Sequence, residues 1–115
     1  MKPGKLALLR FPRVNLKEGK LRPVLLIARV PGEYADWLVG MVSSHMEQAI
    51  PGLDEVIREE DTDFLPSGLK QSSVIRAGRL AVANAELLLG IIGEISSERL
   101  VRIRHRIADW VLERP

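Results

Sequence analysis

Three polar residues stand at the ends of apolar runs: Arg22, Ser43 and His45. In KLRPVLLIAR (20–29) the pair Arg22-Pro23 comes directly before a continuous apolar stretch. Proline has no N–H for a ladder, which predicts that Pro23 stands at a strand's first residue or on an edge. Arg22 is then at the mouth of a sheet, close to the core yet able to reach solvent. Such an arginine is either a snorkelling surface side chain or part of a site for an anion. Ser43 closes WLVGMVSS (37–44). A hydroxyl there either bonds the backbone, as strand-end serines commonly do, or is offered to a ligand. Ser44 faces the opposite way if the strand stays regular, and His45 returns to the face of Ser43. An imidazole with an ordinary pKa of about 6.5 suits proton transfer; otherwise this is a loop histidine.

The elements that must hold these residues follow from apolar patterning. Lys5–Phe11 reads as a short strand closed by Pro12, and 12–21 as a basic, Gly-containing loop. Arg22–Val30 is the next strand, stopped by Pro31-Gly32. In the third, Trp37–Ser44, Trp37, Val39 and Met41 share a face with Ser43, and Leu38, Gly40 and Val42 share the other. Apolar residues on both faces predict a small barrel with an added layer rather than an open sheet. Leu53–Arg58 reads as an edge strand and Glu59–Pro66 as a solvated acidic turn, its Glu59–Asp63 run lacking the spacing and glycine of a calcium loop. Ser72–Ala83 and Leu87–Ile95 supply the later strands, with helix at 83–89 as the rival reading. Ser96-Ser97-Glu98 starts a helix of about 97–113. Along it Leu100, Ile103, Ile107, Trp110 and Val111 recur at helical spacing, and Arg99, Arg102 and Arg106 line another face. His105 and Asp109, one turn apart, read as a surface pair.

At 115 residues the chain reads as a single domain, 1–115, with enough length for a core. It contains no cysteine, which excludes disulfides, thiolate nucleophiles and thiolate zinc sites. No apolar run approaches the ~18 residues of a membrane span, and the N-terminus lacks a secretory cleavage pattern, so a soluble cytoplasmic protein is expected. The net charge of +2 conceals segregation. Residues 1–30 carry eight Lys/Arg and one acid, residues 31–66 one base and nine acids, and residues 67–115 eight bases and five acids. Such a layout is compatible with a polyanion on one face and a basic partner elsewhere.

The order of these pieces resembles the MazF/PemK (Kid-like) toxins of bacterial toxin–antitoxin pairs. GKLALLRFP (4–12) resembles that family's opening strand, KLRPVLLIA (20–28) its Arg-Pro-hydrophobic second strand, and WLVGMVSS (37–44) a third strand ending in a hydroxyl. SGLKQSSVIRAGRLAV (67–82) is similar to its fifth region and ISSERLVRIRHRIADWV (95–111) to its terminal helix. The chain departs from the pattern at Lys5, where Asp is usual, and at RAGRLAV (76–82), which lacks a Gln and an Arg-Thr or Arg-Ser. The resemblance implies a mainly β, SH3-like small barrel of five to seven strands with a C-terminal helix. It implies a homodimer that cleaves single-stranded RNA without metal or other cofactor, and a cognate antitoxin whose acidic tail occupies the RNA groove. Arg22 and Ser43 carry over as the catalytic pair.

That chemistry is physically coherent. RNA brings its own nucleophile, the ribose 2′-hydroxyl, so a protein need only align it, move protons and stabilise the crowded phosphorane. Arg22 suits the electrostatic role, since its fork donates to two phosphate oxygens and its pKa makes it a poor base. Ser43 could place a hydroxyl donor on the same phosphate, with His45 assisting proton transfer. Arg13, Lys17, Lys20 and the more distant Arg29 could track the backbone, while Ser44, Lys70, Gln71, Arg76 and Arg79 could border the same groove, Gln71 reading a base edge. Trp37 and Trp110 read as core or interface anchors. Two other functions stand beside this one. A CcdB-like gyrase poison shares the barrel but ends in Trp-Gly-Ile, where this chain ends in Trp110-Val-Leu-Glu-Arg-Pro115. A catalytically silent RNA-binding relative is compatible with the departures at 76–82.

Overall fold

The run Val24–Ile27 is buried at every residue because its two faces supply two different apolar clusters. In the computed structural model, which describes residues 1–10 and 20–115, this run lies in a six-stranded antiparallel sheet. Its strands are β1 (Lys5–Arg10), β2 (Leu21–Arg29), β3 (Asp36–Ser43), β4 (Glu55–Ile57), β5 (Ser73–Asn84) and β6 (Leu88–Glu94), in the order β4-β5-β3-β2-β1-β6. Leu25 and Ile27 join Leu6, Val42 and Ile75 in one cluster, which also takes Leu100 and Ile103 of the helix α2 (Ser97–Val111). Val24 and Leu26 join Leu9, Trp37, Val39 and Leu88 in the other. The expected faces of the third strand are those observed: Trp37, Val39 and Met41 meet the second cluster, Leu38 and Val42 the first.

The architecture is therefore mainly β with a C-terminal helix and resembles a small barrel. Its hydrogen-bond ladder stays open between the edge strands β4 and β6. Pro23 is the third residue of β2, not its first. It is tolerated because pairing with β3 starts only at Val24, so no donor is required of Pro23 on that side. Helix at 83–89 is reduced to a single 3₁₀ turn, Ala85–Leu87, where the Asn84 side chain accepts the Glu86 N–H at 3.0 Å.

The acidic turn is solvated only in part: Glu59, Glu60, Thr62, Leu65 and Pro66 are exposed, but Asp63 and Phe64 are buried. It contains a one-turn helix, α1 (Phe64–Ser67), and Asp63 is only 7% exposed. Arg99 commits all five guanidinium N–H groups to this region. Nε and Nη2 donate to Asp63 (2.8 and 3.1 Å), Nη2 also to Asp61 (3.1 Å), and Nη1 to Glu55 and the Val56 carbonyl (3.0 and 2.9 Å). Glu55 further accepts from Arg102 and Arg106. The basic partner of the acidic middle segment is thus the chain's own C-terminal helix. Ser96 caps that helix through the Arg99 N–H (3.2 Å) and donates its own N–H to Asp63 (3.1 Å). The apolar stripe of α2 stops being covered after Ile107: Trp110 and Val111, expected on the packed face, are 49% and 66% exposed. Among the described residues no helix is long and apolar enough to cross a membrane.

Candidate functional site

The β2–β3 ladder sets the site. Val24 pairs with Met41 and Leu25 with Gly40; Arg22 and Ser43 each stand two residues beyond the Val24–Met41 pair, where the β2–β3 pairing has ended. Both side chains nevertheless border the same hollows, where they can face one small ligand. Ser43 is held by pairing with Val74 of β5. Arg22 is exposed and Ser43 partly so.

Two hollows meet along this line, and Arg22, Pro23, Ser43 and His45 wall both. The first encloses about 460 Å³ and combines apolar walls (Leu8, Leu21, Leu69, Ile92) with a polar rim of Ser44, Lys70 and Gln71. The second encloses about 410 Å³ and is bordered by Met41, Gln48, Arg76 and Arg79. Of the residues expected from sequence, Arg22, Ser43, Ser44, His45, Lys70, Gln71, Arg76 and Arg79 are therefore gathered around one ridge. Lys20 is exposed just before β2 and walls neither hollow. Arg29 is at the opposite end of that strand, paired with Trp37. Arg13 and Lys17 lie outside the described residues.

Local bonding distinguishes these side chains. His45 is 65% exposed, its Nδ1 3.4 Å from Glu47 Oε1. Arg76 is not a free surface arm. Its side chain is 9% exposed, and its Nε donates at 2.8 Å to Asp54, whose side chain is fully buried. Asp54 also accepts the Ile50 and Gly78 N–H groups at 2.9 and 3.2 Å. Arg76 Nη1 reaches Gln48 Oε1 at 3.4 Å, and the same oxygen lies 3.3 Å from Ser43 Oγ. Ser43 Oγ in turn accepts the His45 N–H at 3.1 Å. Sequence reasoning missed Gln48 and Asp54. Neither stands in a motif; the only signal was an acid in the middle segment needing a buried cation.

No family model matches the chain, and no curated protein matches it in sequence. Solved structures do match in fold. One is the Mycobacterium tuberculosis toxin MazF-mt6, with a TM-score of 0.69 and 15% identity over 96% of this chain and 98% of that one. Another is an endoribonuclease in complex with its cognate antitoxin from a mycobacterial species, with a TM-score of 0.69 and 12% identity over 100% of this chain and 97% of that one. The chain has the MazF toxin fold over nearly its full length, as the resemblance in its motifs implied. At these identities the likeness is one of architecture, and a fold hosts more than one function.

Proposed function

We propose that this protein is the toxin of a toxin–antitoxin pair, a metal-independent endoribonuclease acting on single-stranded RNA. One observation supports the reading: Arg22 near the start of β2 and Ser43 at the end of β3 both wall the same two hollows, on a MazF fold. The scissile phosphate lies where the two hollows meet. Arg22 donates to its non-bridging oxygens and stabilises the charge that builds on the phosphorane. The 2′-oxygen bonds to phosphorus as the bond to the 5′-oxygen breaks. The 2′-hydroxyl loses its proton and the departing 5′-oxygen gains one, leaving a 2′,3′-cyclic phosphate upstream and a 5′-hydroxyl downstream. His45, exposed beside Ser43, is the candidate for proton transfer. The flanking nucleotides occupy the two hollows, with Lys70 and Arg79 on the backbone and Gln71 beside a base edge.

An antitoxin with an acidic tail would compete for the same cationic surface, since both ligands are polyanions. A homodimer completes the proposal. Its test is cleavage of a long single-stranded RNA in excess EDTA with the new ends mapped. Discrete cuts with cyclic phosphate termini are expected. Intact RNA, or cuts that appear only when a divalent metal is added, would overturn the proposal.

A further inference from the structure

The hydrogen bonds around Ser43 determine which way its hydroxyl points. A guanidinium has donors and no acceptor, so the Gln48 atom facing Arg76 Nη1 is the carbonyl oxygen. That same oxygen is the one near Ser43, so Ser43 must be the donor of their 3.3 Å contact. One of the two lone pairs on Ser43 Oγ is already taken by the His45 N–H. Ser43 therefore offers an incoming ligand a lone pair and no proton. A non-bridging phosphate oxygen, itself an acceptor, has nothing to gain from it. A ribose 2′-hydroxyl, which has a proton to donate, does.

Behind Gln48 stands a fixed support. Asp54 is fully buried, bonded by two backbone N–H groups and by Arg76, and so fixes the guanidinium that faces the amide. Bonds of 3.3 and 3.4 Å are weak, but a freely rotating hydroxyl needs little energy to select one rotamer.

We infer that Gln48, oriented by the buried Asp54–Arg76 pair, is a positioning residue that turns the Ser43 hydroxyl so that a lone pair receives the nucleophilic 2′-hydroxyl of the RNA. Arg22, which walls the same hollows, is left to the phosphate oxygens, and the two side chains divide the linkage between them. The inference rests on the ribonuclease reading, since it assigns a role within that reaction.

The test is a double-substitution cycle on RNA cleavage. Gln48 is exposed, so Gln48→Met leaves the fold intact while removing the acceptor. It is expected to lower kcat about five- to tenfold, the worth of one orienting hydrogen bond, with KM nearly unchanged. In a Ser43→Ala background the same substitution is expected to cost less than about twofold, because no hydroxyl remains to orient. Gln48→Glu keeps an oxygen in place and is expected to retain kcat within about threefold while its charge raises KM. Equal losses from Gln48→Met in both backgrounds, or equal losses of kcat from the Met and Glu variants, would overturn the inference and leave the ribonuclease reading intact. A wild-type protein that leaves RNA uncut removes both.

Discussion

Replacing Asp63 by asparagine tests whether the acidic turn is the anchor of the C-terminal helix. The substitution keeps shape and removes charge. Asp63 Oδ2 accepts from Arg99 Nε at 2.8 Å and from the Ser96 N–H at 3.1 Å, and Oδ1 accepts from Arg99 Nη2 at 3.1 Å. An asparagine has one acceptor oxygen, so its NH₂ must face at least one buried donor whichever way the amide turns. Breaking a buried ion pair costs about 3–5 kcal/mol when the surviving charge is left alone. Here Arg99 keeps Asp61, Glu55 and the Val56 carbonyl, which puts the expected loss lower, about 2–3 kcal/mol. For a chain of this size that is a fall in Tm of roughly 8–12 °C.

The same carboxylate predicts the pH dependence. Burial pushes the Asp63 pKa up, but hydrogen bonds from Arg99 and the Ser96 N–H, with the Arg99 charge, outweigh it and hold the group below its ordinary 3.8. The unfolded chain therefore takes up the proton first. The stabilisation from Asp63 is complete well above 3.8 and is lost as pH falls through 3.8 toward the lower folded value. Burial pulls the Arg99 pKa down, but hydrogen bonding to Asp63 and the charges of Asp63, Glu55 and Asp61 outweigh it and raise it, so the guanidinium stays charged throughout that range. Urea unfolding of wild type and Asp63→Asn should thus give a constant difference between about pH 7 and pH 5, and a smaller one near pH 3. A difference below about 1 kcal/mol at neutral pH, or one that does not narrow on acidification, refutes the argument.

Arg22→Lys keeps the charge but loses the planar fork, and is expected to lower kcat by about 10²–10³ with RNA binding largely retained; an undiminished rate would remove Arg22 from the phosphate. Arg79→Ala and Lys70→Ala should each weaken RNA binding and reduce the slope of log K against log salt by about one, read from fluorescence anisotropy across a salt series. His45→Ala should alter the pH–rate profile of cleavage, and an unchanged profile takes proton transfer away from His45. Gly68→Ala should destabilise by more than about 2 kcal/mol in thermal unfolding, because the residue holds φ +76° and an added Cβ would lie 2.0 Å from the Ile92 carbonyl oxygen.

Much of this molecule was legible in its residues. Alternation in WLVGMVSS assigned Trp37, Val39 and Met41 to one face and Leu38 and Val42 to the other, because a strand's period of two is a local property of the backbone. Arg-Pro before an apolar run placed a cation at a strand mouth for the same kind of reason, although Pro23 proved to be the strand's third residue. Other features depended on what lay across the fold. Asp63 reads as part of a solvated turn until α2 brings Arg99 against it, and Trp110 keeps the helical period of buried residues although the packed stripe ends at Ile107. Likewise Gln48 and Asp54 have no motif. Their meaning comes from Arg76, which is 28 and 22 residues away in sequence and within hydrogen-bond reach of both. Periodicity and turn chemistry are carried by neighbours along the chain and so determined the strands and the helix. Which charge is buried, and which way the Ser43 hydroxyl points, was decided only by tertiary structure, because desolvation and hydrogen-bond direction depend on groups that the sequence keeps far apart.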